Sequence, residues 1–188
     1  LTTLAPTGTT GTACKVRGYG CEPEYALSFF RTTAQGTQML LLNPYLEEKL
    51  GKYPIFTDAI KGKEGLLEFL GDTAQGNGSI QSFELSQEEG ESDGSFERRN
   101  ANLDTLKEIL RVSGDVSPRD HILMQAGLQE SVEDAISKTI NFNSGVTVED
   151  VEAAYVLAWE SKVKGTTFYR DGTRKGQPIS VSLDVEDE

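Results

Sequence analysis

The alternation of apolar and polar residues in the C-terminal third of the chain predicts a helix between two strands. Residues 136–142 alternate with the two-residue period of a half-buried strand, and residues 166–169 form a second strand-like run. Between them, residues 147–150 have the sequence of a capping box, and apolar residues then repeat every three or four positions. This order predicts two parallel strands joined by the helix. The helix face that we expect to be buried comprises Val151, Ala154, Tyr155, Ala158 and Trp159.

Two earlier runs of strand-forming residues predict a β-hairpin. Residues 26–33 and 37–42 are rich in aliphatic, aromatic and β-branched side chains, and the residues between them, Ala34-Gln35-Gly36, read as a turn. Proline is favoured at the first position of a helix, so we expect a helix from Pro44 to Leu50.

The middle of the chain predicts a polar connection followed by two helices. Residues 86–100 are polar, spaced by glycine and almost without apolar anchors, so we expect a mobile loop there. The next apolar residues predict a helix that Gly114 ends, and Ser117 with Pro118 predicts the start of another helix that runs to about Gln129. The buried faces that we expect comprise Leu103, Leu106, Ile109 and Leu110 in the first helix, and Ile122, Ala126 and Leu128 in the second.

The N-terminal segment predicts a loop that suits a bound anion. Residues 2–4 read as a short strand, and Pro6 ends it because proline has no N–H group to give to a ladder. The six residues from Thr7 to Thr12 contain two glycines and four threonines, so they present backbone N–H groups and hydroxyls together. We expect Gly8 to adopt a positive φ and to permit close approach of a ligand. A polar turn between a strand and a helix is the alternative.

Composition favours one globular domain over residues 1–183 and an acidic tail over residues 184–188. The chain has 188 residues, of which 37% are hydrophobic and 26% charged, which is enough for one sizeable core. The net charge of −12 disfavours nucleic acid and anionic lipid as partners, and no apolar run is long enough to span a membrane. No signal peptide is visible, and the missing initiator methionine suggests a processed chain or a fragment.

The cysteines and the single histidine limit the chemistry that we expect. Cys14 and Cys21 are too few for a disulfide framework, which favours a reducing cytoplasm. With His121 they match no familiar zinc spacing, so we expect no metal site. Neither cysteine is predicted to be catalytic, and Cys21 reads as a small buried residue. We expect His121 to be structural, with general acid–base catalysis as the alternative.

Several short motifs follow one another along nearly the whole chain. They are Ala5-Pro6-Thr7-Gly8-Thr9, Gly20-Cys21-Glu22-Pro23-Glu24-Tyr25-Ala26, Asn43-Pro44-Tyr45-Leu46-Glu47, Gly76-Asn77-Gly78-Ser79-Ile80-Gln81, Ser117-Pro118-Arg119-Asp120-His121-Ile122, Met124-Gln125-Ala126, Ala135-Ile136-Ser137-Lys138-Thr139-Ile140-Asn141-Phe142, Thr147-Val148-Glu149-Asp150-Val151, Ala158-Trp159-Glu160, Lys164-Gly165 and Tyr169-Arg170-Asp171-Gly172. Together they resemble the catalytic barrel of ribonucleotide reductases, and most closely the adenosylcobalamin-dependent (class II) enzymes.

The resemblance implies an α/β fold that forms the C-terminal half of a ten-stranded α/β barrel, with residues 86–100 as an insertion. It implies an enzyme that converts ribonucleotides to deoxyribonucleotides through a thiyl radical formed with adenosylcobalamin. This chain would not act alone, and would need the N-terminal barrel half, in the same or a separate chain, within a cytoplasmic oligomer. The residues implied to hold the substrate phosphates are Pro6, Thr7, Gly8, Thr9 and Thr10.

Four further polar residues are candidates for the wall of the site. Glu22 matches the glutamate of its motif, with a carboxylate that bonds nearby backbone N–H groups as the alternative. Lys138 and Asn141 lie on a predicted strand and either face a nucleotide or form a polar strand face. Arg170 precedes a tight turn after the last strand, where ligands gather in α/β folds, although a plain surface turn is the alternative.

Two other functions stay open at this point. The chain could be a non-catalytic nucleotide-binding or regulatory module derived from the same barrel, or a structural module with a degenerate site. Residues 15–17 depart from the small polar residues usual in the family, which fits a degenerate site. An upstream coding region with the missing radical cysteine and its carboxylate partner would favour the enzyme.

Overall fold

The structure is a computed structural model that describes residues 1–14, 18–32, 38–43, 46, 48, 69–70, 78–170, 172–173 and 179–180. The chain divides into two compact units: unit 1 comprises Leu1–Tyr25 and Ser113–Lys175, and unit 2 comprises Ala26–Val112 and Gly176–Glu188. The elements, numbered here over the described residues, are α1 Gly8–Ala13, β1 Ser28–Thr32, β2 Gln38–Leu42, α2 Asp93–Ile109, a 3₁₀ turn Ser113–Asp115, α3 Pro118–Gln129, β3 Thr139–Phe142, α4 Val148–Glu160, β4 Thr167–Arg170 and β5 Ile179–Ser180.

Unit 1 contains the predicted strand–helix–strand unit. β3 and β4 are parallel, with Thr139 opposite Thr167 and Phe142 opposite Arg170, and α4 connects them. The prediction of two parallel strands is therefore confirmed. The core of this unit has Ile140 and Ile122 almost completely buried, and ring pairs such as Phe142 with Phe168 extend it.

Helix α4 begins as predicted but buries a narrower face than expected. The Thr147 hydroxyl accepts from the Asp150 N–H and the Asp150 carboxylate accepts from the Thr147 N–H, which completes the capping box. Ala154 and Ala158 are buried, whereas Tyr155 and Trp159 are 53% and 79% exposed, so the prediction that these two are buried is wrong. Val151 and Leu157 pack against the core beside the two alanines, and the exposed Tyr155 ring contacts Phe168 at its edge, with ring centroids 4.3 Å apart.

Helix α3 also has the predicted bounds, but its buried face is largely polar. The Ser117 hydroxyl accepts from the Asp120 N–H, and Pro118 occupies the first turn. Ile122 is buried, while Ala126 and Leu128 are only partly buried. The remaining buried residues of the helix are His121, Gln125 and Gln129, which the apolar pattern did not indicate.

Residues 2–4 do not form a regular strand, which corrects the prediction for this segment. They nevertheless bond to the segment before β3. The Thr2 carbonyl accepts from the Asp134 N–H (3.0 Å), and the Leu4 carbonyl accepts from the Ser137 N–H (3.3 Å). These bonds hold residues 2–4 beside residues 134–137, which precede β3 in the same unit.

Unit 2 contains the predicted hairpin. β1 and β2 are antiparallel, with Phe30 opposite Leu40, and β5 pairs with the other edge of β1. The core of the unit includes Ile80, Leu103 and Leu106, each at most 3% exposed. The predicted turn at 34–36 and the acidic tail 184–188 lie outside the described residues, as does most of the helix predicted from Pro44 to Leu50.

The prediction of a loop over residues 86–100 is wrong for its second half, because α2 already begins at Asp93. The Ser92 hydroxyl accepts from the Ser95 N–H and caps the helix. The Arg99 guanidinium, whose side chain is 10% exposed, lies 2.7 Å from the Glu91 carboxylate. The segment has few apolar residues to pack against a core. The Ser92 cap and the Glu91–Arg99 ion pair stabilise the start of the helix in their place.

The end of α2 also differs from the prediction. The helix ends at Ile109 rather than at Gly114, because the Leu110 N–H closes its last turn on the Leu106 carbonyl and residues 113–115 form a separate turn. Ile109 is 63% exposed and so is not part of the buried face. Among the described residues, none of the helices is both long and apolar enough to cross a membrane.

Candidate functional site

The loop at residues 6–10 has a strained residue at its centre. Thr7 has φ = 53°, a left-handed conformation that a β-branched residue rarely adopts. Gly8 is the first residue of α1 and is not among the positive-φ glycines, so the expected positive φ lies one residue earlier than predicted. The Thr7 carbonyl accepts from the Gly11 N–H at 2.7 Å, so the strained residue is bonded to the first turn of α1.

A second tight turn, at residues 19–22, packs against this loop. The Gly20 N–H donates to the Thr7 hydroxyl oxygen (3.1 Å), and the Glu22 N–H donates to the Tyr19 carbonyl (2.9 Å). Gly20 has φ = +58°, and a Cβ atom there would lie 2.6 Å from the Ala5 carbonyl oxygen. A Cβ on Gly8 would lie 3.3 Å from the Tyr19 ring. Only glycine fits at position 20. The loop at residues 6–10 and the turn at residues 19–22 therefore fix each other's backbone.

The loop leaves hydroxyl groups on the surface. Thr9 and Thr10 are exposed, and the Thr7 hydroxyl, which accepts from Gly20, keeps its own hydrogen for donation. Neutral donors of this kind bind and orient an anion without reacting with it. The arrangement is therefore suited to holding a phosphate group rather than to proton transfer.

Glu22 bonds to the backbone at the start of β3. Its Oε1 accepts from the Thr139 N–H at 2.8 Å, across 117 residues of chain. This contact supports the alternative in which the carboxylate satisfies a backbone N–H group, although the group is distant in sequence. Glu22 therefore links the 19–22 turn to β3.

Lys138 is buried beside Glu22. It is 2% exposed, and its Nζ donates to the Thr139 carbonyl at 3.3 Å. Burial lowers the pKa of the ammonium group, and the Glu22 carboxylate opposes that shift. The amine is thus enclosed among residues of unit 1, and a contact between Lys138 and a nucleotide stays a prediction.

The cysteines lie in different surroundings. Cys21 is partly buried, and burial raises the pKa of its thiol while the charge of Lys138 opposes the shift. Cys14 is exposed at the end of α1. A thiol with a raised pKa is a poor nucleophile at neutral pH, and the absence of a catalytic role for Cys21 stays a prediction.

His121 and Asn141 are both bonded to Ser113. The His121 Nε2 lies 3.1 Å from the Ser113 carbonyl oxygen, so this nitrogen carries the proton in the neutral ring. The Asn141 Nδ2 donates to the Ser113 hydroxyl at 2.8 Å. Burial lowers the pKa of His121, and the bond to Ser113 opposes that shift. His121 thus holds a neighbouring turn, as the structural interpretation predicts, and Asn141 supports the same turn.

Arg170 is tied to the loop that follows β3. Its Nε and Nη2 both donate to the Ser144 carbonyl, with Nε at 3.1 Å. The structure thus brings Glu22 and Lys138 together at the start of β3, whereas Arg170 lies where β4 ends. The sequence reasoning missed Tyr19 and Gly20, although the Gly18-Tyr19-Gly20 spacing was a signal for a tight turn.

Two open cavities are lined by described residues. One, of about 480 Å³, lies where β3 ends and α3 and α4 begin, and its lining includes Arg119, Phe142 and Asp150. The other, of about 530 Å³, lies along α2 and is lined by carboxylates that disfavour an anion. Over the described ranges, the side chains of His, Cys, Asp and Glu form no group of three that could hold a metal ion.

Comparison with known families identifies the family to which the chain belongs. The family model described as "Ribonucleotide reductase, barrel domain" matches residues 1–169, so the chain belongs to the ribonucleotide reductase barrel-domain family. The α subunit of the Actinobacillus ureae class Id ribonucleotide reductase has a similar structure, with a TM-score of 0.52 and 19% identity, covering 89% of this chain and 25% of that one. This likeness supports an α/β barrel fold.

Curated proteins similar in sequence to this chain are named as vitamin B12-dependent reductases. A vitamin B12-dependent ribonucleoside-diphosphate reductase of Mycobacterium tuberculosis is 31% identical over 96% of this chain and 22% of its own length. One from Thermoplasma acidophilum is 31% identical over 95% of this chain and 20% of its own length. A vitamin B12-dependent ribonucleotide reductase of Agrobacterium fabrum is 48% identical over 39% of this chain. The chain therefore spans about a fifth of the length of the first two relatives.

Proposed function

We propose that this chain is the C-terminal part of the catalytic barrel of a ribonucleotide reductase and holds the phosphates of the substrate. The carrying observation is the loop at residues 6–10, in which strained Thr7 is bonded to Gly11 and Gly20 while Thr9 and Thr10 stay exposed. A strained residue persists only where its surroundings fix it, and such positions cluster at ligand sites. Family membership over residues 1–169 supports the assignment.

The proposed reaction converts a ribonucleotide to a deoxyribonucleotide through a thiyl radical. Within it, this chain's loop binds and orients the substrate by its phosphates, with Pro6 and Gly8 shaping the backbone and the threonine hydroxyls donating. Glu22 positions the start of β3 under the 19–22 turn. We assign no catalytic role to Cys21, which is partly buried within the 19–22 turn. The N-terminal barrel half, in the same or a separate chain, would supply the radical cysteine.

Adenosylcobalamin is proposed as the cofactor of the assembled enzyme, because the relatives are named as vitamin B12-dependent. The two cavities described above, of about 480 and 530 Å³, are open grooves of the size usual for small ligands, and neither encloses a corrinoid with its adenosyl group. We therefore place no cofactor contact on these residues and derive no step through the cofactor.

The proposed setting is a cytoplasmic oligomer. The net charge of −12 disfavours nucleic acid as a partner, and the same charge disfavours anionic membranes. The partners that we propose are the ribonucleotide and the N-terminal barrel half.

A binding titration tests the phosphate assignment. The chain, assembled with its N-terminal barrel half, is titrated with ADP and CDP, and wild type is compared with Thr9→Val/Thr10→Val. Because a hydrogen bond to a charged group is worth about 1.5–3 kcal/mol, the double variant should bind both nucleotides at least about tenfold more weakly. Thr105→Val is the control, since Thr105 is also exposed but bonds within α2 to the Ala101 carbonyl.

Three outcomes separate the candidate functions. Weaker binding only in the loop variant supports the proposal. Equal binding in all variants would refute the assignment of the loop. Nucleotide binding that depends on the loop but never leads to reduction, even with cofactor and reductant supplied, would favour the non-catalytic nucleotide-binding module.

A further inference from the structure

Helix α3 presents a buried glutamine to the segment that precedes β3. Gln129 is 7% exposed, and its Nε2 donates to the carbonyls of Val132 (3.1 Å) and Asp134 (2.9 Å). One carboxamide therefore fixes two alternate carbonyls of an irregular stretch of backbone.

A second glutamine, one turn earlier on the same helix, continues this pattern. Gln125 is fully buried, and its Nε2 donates to the Ile136 carbonyl (3.2 Å) and to the Gly165 carbonyl (2.6 Å), just before β4. Together the two side chains hold the carbonyls of residues 132, 134 and 136 against α3.

The same segment carries the N-terminal residues that lead into the phosphate loop. The Asp134 N–H donates to the Thr2 carbonyl (3.0 Å), and the Thr3 hydroxyl donates to the Ala135 carbonyl (2.7 Å). The Ser137 N–H donates to the Leu4 carbonyl (3.3 Å). Leu4 is two residues before Pro6, so these bonds set the place where the loop begins.

The carboxamide oxygens indicate that filling space in the core is not the only role of Gln125 and Gln129. The Oε1 atoms of Gln125 and Gln129 are buried and have no hydrogen-bond partner among the described residues. An unpaired buried acceptor is unfavourable, and a methionine would fill similar space without it. The donated pairs of hydrogen bonds are what these side chains contribute.

We propose that Gln125 and Gln129 are positioning residues for the binding of substrate phosphate. They act through residues 132–137 and 2–4, which together set the position of the loop at 6–10. The inference rests on the proposed function of that loop. Because well-placed donors lose much of their effect when displaced by a fraction of an ångström, loss of either glutamine should weaken phosphate binding specifically.

The test compares ADP with adenosine as probes of the assembled enzyme. Gln125→Met and Gln129→Met should each weaken ADP binding about tenfold and leave adenosine binding unchanged, because only ADP carries phosphates. Gln81→Met is the matched control, since its Nε2 also donates to a backbone carbonyl, that of Lys107 in unit 2. Faster hydrogen exchange at the Gly11 N–H, which donates to Thr7, should accompany the weaker ADP binding.

Thr3→Val is the second variant, in case the buried substitutions prevent folding. Thr3 is exposed and its hydroxyl donates to the same segment, so the variant should fold and should weaken ADP binding to a smaller extent. The inference is overturned if these variants bind ADP normally, or lose ADP and adenosine equally, while Thr9→Val/Thr10→Val weakens ADP alone. If the loop variant itself binds ADP normally, the proposed function fails, and the inference fails with it.

Discussion

Single residues fix the backbone around the proposed phosphate loop. Thr7 and Gly20 both have left-handed conformations, and the Gly20 N–H bonds directly to the Thr7 hydroxyl. The sequence indicated the loop through its glycines and threonines, but it placed the positive φ at Gly8. The strain lies at Thr7 because contacts from the 19–22 turn stabilise it, and such contacts are not visible in the local sequence.

Glu22 should matter through both its hydrogen bond and its charge. Glu22→Gln keeps an acceptor for the Thr139 N–H but leaves the buried Lys138 ammonium without a nearby carboxylate, whereas Glu22→Ala loses both. We expect the glutamine variant to lower the free energy of unfolding by about 1–3 kcal/mol and the alanine variant to lower it further. Urea unfolding of the 188-residue chain measures both.

A compensating variant gives the control for Glu22. Adding Lys138→Met to Glu22→Gln removes the uncompensated ammonium, so the double variant should recover part of the lost stability. A double variant no more stable than Glu22→Gln alone would contradict this account of the pair.

His121 should make stability depend on pH below its ordinary pKa of 6.5. Burial, chiefly, and the charge of Lys138 lower the pKa in the folded chain, while the Ser113 bond, Glu22 and Asp120 oppose the shift. Between the folded pKa and 6.5 the unfolded chain binds the extra proton, so stability should fall as pH falls through this window. Chemical unfolding at a series of pH values measures the slope.

His121→Gln is the variant that isolates this contribution, because it cannot titrate. Its free energy of unfolding should lose the slope just below pH 6.5, although the variant is less stable overall. An unchanged slope in the variant would assign the pH dependence to another group.

At the scale of secondary-structure elements, the local sequence predicted where helices begin better than it predicted which of their residues are buried. The capping residues Ser117 and Thr147 begin α3 and α4 as expected, because a cap is a local hydrogen bond. Burial depends on what the element packs against, so the exposure of Trp159 and the buried glutamines of α3 could not be predicted from apolar spacing. Helix α2 shows the same limit, since buried charges rather than apolar residues fix its start.

The start of α2 can be tested through its ion pair. Arg99→Met leaves the Glu91 carboxylate, whose side chain is 8% exposed, without its guanidinium and should lower the free energy of unfolding by about 3 kcal/mol. Arg98→Met is the matched control, because the neighbouring Arg98 is exposed and its loss should change stability by less than about 0.5 kcal/mol.

Hydrogen exchange gives a second view of the same segment. Amides of residues 97–100 should be protected in wild type and less protected in Arg99→Met, because they lie within α2. Exchange at the rates of an unstructured peptide in wild type would restore the prediction of a mobile loop there.

At the scale of the whole molecule, motif order and the strand–helix–strand pattern together carried the assignment. The parallel pairing of β3 and β4 and the match of the family model over residues 1–169 agree with it. The chain spans about a fifth of the length of its first relatives, so the complete site is proposed to need the rest of the barrel. The bonds between residues 2–4 and residues 134–137 became visible only in three dimensions, because they join residues more than 100 positions apart.

The most direct measurement of the central claim is a map of where the substrate phosphates bind. In the assembled enzyme, threonine methyl groups and glycine amides of this chain are isotopically labelled, and NMR spectra are recorded with ADP and with adenosine. We predict that ADP shifts the signals of Thr7, Gly8, Thr9 and Thr10 and that adenosine leaves them unchanged. Shifts confined to other parts of the chain, such as Gly145 in the cavity between α3 and α4, would contradict the claim that this loop holds the substrate phosphates.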